Sequence, residues 1–102
     1  MSFFEKQYEF SAVLWVWQGK GAWYFVTLPE DISQEIKDGY PFTGRGFGSV
    51  PVEVTIKDQV WNTSIFPDSK SGSYFLPIKK KVREAAEIGL DDKVEVGIKI
   101  SF

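Results

Sequence analysis

Lys79, Lys80 and Lys81 open a predicted helix in the second half of this chain, and Arg83 follows one turn later. Free backbone amides at a helix start, joined by several cations, would make an anion site. The helix dipole disfavours cations there, each by about 0.3–1 kcal/mol when exposed. The plainer reading is a solvated surface on which Glu84 and Glu87 compensate along the helix. Arg45, inside Gly44-Arg45-Gly46-Phe47-Gly48, is a second candidate, because glycine-rich backbone can fold into an anion-binding nest. That stretch precedes a strand and not a helix, so neither the P-loop nor the dinucleotide-binding context is met. A loop that needs Gly for tight turns is the plainer alternative. Trp15, Trp17, Trp23 and Trp61 could stack on a base or another flat ligand. Their commoner use in a small β-rich protein is to fill the core or cover its end. Trp61 is the least settled of the four.

Much chemistry is excluded by composition. The chain has no Cys and no His. Disulfides, thiolate zinc sites and the usual general base near neutral pH are therefore absent. Thr63-Ser64 has no imidazole to activate it, so a hydrolase-type nucleophile is not expected. Asp31, Asp58, Asp68, Asp91 and Asp92 fall in predicted turns or helix starts, which are structural places for Asp. No metal site and no cofactor are expected. With 12 basic and 14 acidic residues the net charge is −2, which argues against nucleic acid as a partner. The N-terminus lacks a basic region followed by an apolar run, and no apolar stretch approaches membrane-spanning length. A soluble cytoplasmic protein is the expectation.

The elements that must position these residues are strands. At 102 residues the chain is read as one domain, residues 1–102. Nine Phe, four Trp and four Tyr favour a β-rich core. Tyr8 to Gln18 reads as one long strand, with Phe10, Ala12, Leu14 and Val16 on one face and Val13, Trp15 and Trp17 on the other. Gly19-Lys20-Gly21 signals a hairpin into a strand from Trp23 to Leu28. Pro29 opens a helix carrying Ile32 and Ile36 on one face, with Gly39 at its end. Val50–Ile56 alternates, Lys57-Asp58-Gln59 turns, and Val60–Phe66 returns. Ser73–Leu76 is a short strand. A helix over Lys79–Glu87, with Ile78, Val82 and Ala86 on one stripe and Gly89 as its cap, leads to a last strand, Lys93–Phe102. The order Leu-Pro, helix, Gly, alternating strand thus occurs twice, at Leu28-Pro29 and Leu76-Pro77. The pseudo-repeat spans about 8–56 and 60–102. One half has too few strands to bury its apolar faces alone.

The block from Gly44 to Arg83 combines Gly44-Arg45-Gly46-Phe47-Gly48-Ser49-Val50-Pro51-Val52-Glu53-Val54 with Trp61-Asn62-Thr63-Ser64-Ile65-Phe66-Pro67, Gly72-Ser73-Tyr74-Phe75-Leu76-Pro77 and Val82-Arg83. It resembles the prokaryotic domain-of-unknown-function family numbered nineteen-oh-five, and the Phe10 strand and Leu28-Pro29 extend the likeness over nearly the whole chain. The resemblance implies a mainly β fold: a small double-split β-barrel, or pseudobarrel, of two ββαβ halves capped by two short helices. AbrB-, MazE- and MraZ-like DNA-binding proteins build such a barrel from two chains. The family carries no established activity, and fold alone licenses none.

The expected function is therefore a non-catalytic binding module for an anionic ligand or a protein partner, with Arg45, Trp61, Lys79, Lys80 and Arg83 as its ligand-binding candidates. A DNA-binding regulator by AbrB-like analogy is the alternative, and a small enzyme of unknown reaction has the least support. A monomer or weak homodimer is the expected assembly.

Overall fold

A computed structural model describes residues 5–39 and 48–101. The strands are β1 (Glu5–Val13), β2 (Trp15–Gly19), β3 (Gly21–Thr27), β4 (Val50–Ile56), β5 (Gln59–Pro67), β6 (Tyr74–Pro77) and β7 (Lys93–Ser101). Two helices interrupt them: α1 (Glu30–Gly39) between β3 and β4, and α2 (Lys80–Ala86) between β6 and β7. The strands form one antiparallel sheet in the order β1-β7-β4-β5-β6-β3-β2.

The curl of this sheet follows from its order. β1 and β2 lie at opposite ends of the sheet, yet only Leu14 separates them in the chain. Neighbouring Cα atoms are about 3.8 Å apart. The two ends must therefore come round to meet, and the sheet bends into a half-barrel. The expected single strand over 8–18 is broken here. Up to Val13 the backbone pairs with β7. At Leu14 it instead donates to Asp92 O and accepts from Asp91 N, both at 2.9 Å. From Trp15 it pairs with β3. Leu14 itself is fully buried. Alternation alone could not mark the break, because the inward parity of Phe10, Ala12, Leu14 and Val16 runs through it.

The inner face is apolar. Phe10, Leu14, Val26, Val50, Val52, Val54, Ile56, Ile65, Leu76 and the even-numbered residues of β7 from Val94 to Ile100 are buried together. Leu28, Ile36, Ile78, Val82 and Ala86 join them from the helices and their flanks. The expected stripe on α2 is thus the buried one. On α1, Ile36 is buried and Ile32 is half-buried against the core. Ser33 is also fully buried, and its hydroxyl accepts the Tyr74 N–H at 3.0 Å, so the helix is pinned to β6 by a satisfied polar group.

Gly89 is not the cap of α2. Glu87 takes the left-handed conformation there, with φ 57°, and its N–H reaches the carbonyls of Arg83 and Glu84. Lys57 Nζ supplies a second closing bond, to Ala86 O at 2.6 Å. The Gly89 N–H is used by the Asp92 carboxylate instead, at 2.7 Å. Among the described residues no helix is long and apolar enough to cross a membrane.

Candidate functional site

The residues expected to bind an anion prove to have different roles. Lys79 is extended (φ −70°, ψ 157°), immediately ahead of α2, and its carbonyl accepts the first helical N–H groups, of Val82 and Arg83, at 3.1 Å. Lys80 reaches Glu84 at 3.9 Å, and both side chains are highly exposed. Such a pair contributes about 0.3–0.5 kcal/mol. Arg83 turns back on the protein. Its Nε donates to Ile78 O at 3.2 Å and its guanidinium lies 3.7 Å from the centre of the Tyr24 ring. It clamps α2 onto β3 through a hydrogen bond and a cation–π contact. Trp61 pairs with buried Val54 and packs half-buried at the margin of the core, on the inner side of β5. Arg45 and the rest of its glycine loop up to Phe47 lie outside the described residues.

The outer face of the sheet assembles what the linear pattern did not. Gly19↔Gly21 pairing places Trp17 opposite Trp23 and Trp15 opposite Phe25. The Trp15 and Phe25 rings are 4.9 Å apart and tilted, and Trp15 Nε1 donates to Thr27 Oγ1 at 2.9 Å. Phe25 meets Phe75 edge-on at 5.0 Å, and Phe75 meets Phe66 at 5.9 Å. An aromatic row thus crosses β2, β3, β6 and β5 on the side away from the core, with centroid spacings in the favourable range. Trp17 and Trp23 are 54% and 55% exposed. The expectation that they fill the core is corrected here. Inward parity on β2 and β3 belongs to Val16, Tyr24 and Val26, so the indoles must point out.

Trp17 is held as well as exposed. Its ring lies against the backbone of Gly19, where a Cβ would come within 2.2 Å of it. Lys79 joins the same corner. β3 and β6 pair Phe25 with Pro77, and Ile78 N–H donates to Tyr24 O at 2.8 Å, one step further along. Lys79 follows directly, where the ladder ends and the chain enters α2. Charge is segregated as well. Lys20, Lys70, Lys79, Lys80, Lys81 and Arg83 fall in two stretches, 10–29 and 69–83, that contain no Asp or Glu. These stretches supply β2, β3, β6 and the start of α2.

A concavity of about 450 Å³ crosses the outer face of β1, β7 and β4 above Gly97. Glu9, Glu53, Glu95, Lys57 and Lys99 line it, and its charges are largely partnered. Lys99 Nζ lies 3.4 Å from Glu53 and 4.0 Å from Glu5, and Ser11 donates to Glu95. Tyr8 borders it, its phenol pushed above the ordinary value by burial and then by the nearby Glu35 carboxylate. Among the described residues no group of Asp or Glu side chains could hold a metal ion.

The fold and these surfaces define a small, mainly β domain whose seven-stranded curled sheet carries two helices and an outward aromatic face. The chain belongs to the family described as Domain of unknown function (DUF1905), which it matches over residues 10–98. That span contains the aromatic hairpin, both helices and most of β7. No curated protein matches it.

Proposed function

We propose that this domain is a non-catalytic binding module, and that it receives an anionic partner on the outer face of β2, β3 and β6. One observation carries the reading: the half-exposed Trp17–Trp23 pair lies on the strand whose ladder with β6 ends just before Lys79, on a part of the chain without carboxylates. Large exposed aromatics cost solubility, and a contiguous patch of them marks an interaction surface. Lys79 is the residue of the expected set that follows β6 at this end of the sheet, while Lys80 and Arg83 add positive field from α2.

The same reading takes the curled sheet as a double-split barrel of two ββαβ halves. Exchanging β1–β2, β3 and β4 for β5, β6 and β7 maps the strand pairings onto themselves, which supports it. An experimental structure in which the units following Leu28 and Leu76 fail to superpose would refute that part.

The binding function is tested by titrating heparin, as a generic polyanion, against the wild type, Lys79→Ala and Lys93→Ala, following tryptophan emission. Quenching or a blue shift that weakens in Lys79→Ala and persists in Lys93→Ala is the expected result. Binding that ignores Lys79 would move the anion site elsewhere on the protein.

A further inference from the structure

We propose that the occupant of this face is single-stranded nucleic acid, with unpaired bases stacked on Trp17 and Trp23 and phosphates met by Lys20 and Lys79. The proposal deepens the reading above and rests on it. Three features favour this occupant over other anions.

The first is shape. The Trp17 ring lies so close to Gly19 that a Cβ there would clash with it, and yet the residue is 54% exposed. A base can land there without displacing a side chain. Along the strand, the Trp15–Phe25 pair follows the Trp17–Trp23 pair at a distance of two residues, about 7 Å. Stacking on such platforms is tolerant of sequence, because every base offers a π-face.

The second is charge. Lys20 stands at the tip of the hairpin, and Lys79 follows Ile78, whose N–H bonds to Tyr24 O next to Trp23. Glu84, one turn into α2, is paired with Lys80, and Asp91 and Asp92 bond to Leu14, beyond the other end of β2. Asp92 is engaged with the Gly89 N–H. A neutral sugar also stacks on tryptophan, but it carries no charge to complement Lys20 and Lys79. An acidic peptide would satisfy the lysines yet leave the indole faces without planar partners.

The third is the exclusion of duplex. A paired helix buries its base faces in its own stack and is read by a helix or ribbon entering a groove. This face is the outside of a sheet and offers stacking surfaces, which only unpaired bases can use.

The test is fluorescence anisotropy of a short labelled oligothymidylate and oligouridylate at several salt concentrations. A hairpin duplex and polyglutamate are run as competitors. Saturable binding to both single strands is expected, with duplex and polyglutamate competing poorly. Trp17→Ala or Trp23→Ala should each weaken binding roughly five- to a hundredfold. Lys79→Ala should lower the slope of log affinity against log salt by about 0.7. Gly19→Ala supplies a second variant that keeps every charge and every indole while displacing the Trp17 ring. It should weaken binding too, with the melting temperature and circular dichroism of each variant confirming the fold. If polyglutamate binds with the same dependence on Lys79 and Trp23 while the oligonucleotides do not, the nucleic-acid assignment falls and the anion-binding reading survives. If neither binds, both fall. Equal affinity for duplex and single strand, or single-strand binding indifferent to Trp17 and Trp23, would also overturn the proposal.

Discussion

The two ends of this sheet carry the same inner face and opposite outer ones. On β1, β7 and β4 the outward positions are Glu5, Gln7, Glu9, Glu53, Glu95 and Lys99, laced by Lys99 to Glu5 and Glu53. On β2, β3 and β6 they are Trp15, Trp17, Trp23, Phe25 and Phe75. Both ends bury valine, leucine and isoleucine underneath, so folding makes the same demand of each. The difference therefore lies in what each surface faces. β1, at one edge, carries Glu5, Lys6 and Glu9, and charge of this kind discourages another strand from pairing with it. β2, at the other edge, reads Trp-Val-Trp-Gln-Gly with no charge at all.

The comparison breaks most severely where the ends are joined. Leu14→Ala removes a fully buried side chain at the corner between β1 and β2. It should cost about 2–5 kcal/mol in chemical denaturation, the range for truncating buried leucine. A cost under about 1 kcal/mol would mean that the corner does not hold the two ends together.

Arg83→Ala comes next. It removes the cation over Tyr24 and the bond to Ile78 O, and should destabilise by about 1–2 kcal/mol. Arg83→Lys keeps the charge but loses the planar stack, so it should recover only part of that loss. Full recovery would show that charge alone matters at this position.

Trp17→Ala and Trp23→Ala sharpen the contrast. Each should cost about 1–2 kcal/mol, below the loss expected for Leu14→Ala, since roughly half of each side chain is already in water. A loss as large as that of Leu14→Ala would make the aromatic face part of the core's support and remove its claim as a binding surface. At the opposite end, Lys99→Met should cost no more than about 1 kcal/mol, and raising the salt should shrink that cost. An effect insensitive to salt would mean that Lys99 acts by packing.

The smallest effect is at alkaline pH. The Tyr8 phenol is raised, chiefly by burial and next by Glu35. The folded state therefore holds its proton more tightly than the unfolded chain does. Stability from this group is full below the ordinary tyrosine value, near 10, and drains away as pH rises through the folded value. Tyr8→Phe should flatten the alkaline limb of a melting-temperature profile. An unchanged limb would mean that Tyr8 does not couple to folding.

Alternation and punctuation alone made most strands legible. Val50–Ile56 and the last strand have strict inward parity, and the Lys57-Asp58 and Gly19-Lys20-Gly21 turns locate their hairpins. Trp17 and Trp23 stand equally far from Lys20, so their pairing was also readable. Their exposure was not, because large aromatics serve both cores and surfaces, and which face of a strand is covered depends on what packs there. Lys79, Lys80 and Arg83 read as one cationic cluster, and the fold divided them. Lys79 is the extended residue that leads from β6 into α2, a helical pair occupies Lys80, and the proximity of β3 draws Arg83 onto Tyr24.

The sequence by itself determined the local periods, the turns, the twofold recurrence of Leu-Pro before a helix, and the separation of carboxylates from the 10–29 and 69–83 stretches. These are properties of neighbours along the chain, and short-range sterics and hydropathy express them directly. Tertiary structure alone decided that Leu14 breaks a continuous pattern, that the indoles of Trp17 and Trp23 face water, and that residues distant in sequence form one aromatic row. Those outcomes depend on which strands pair and how the sheet curls, and that is settled by burying the whole apolar face at once.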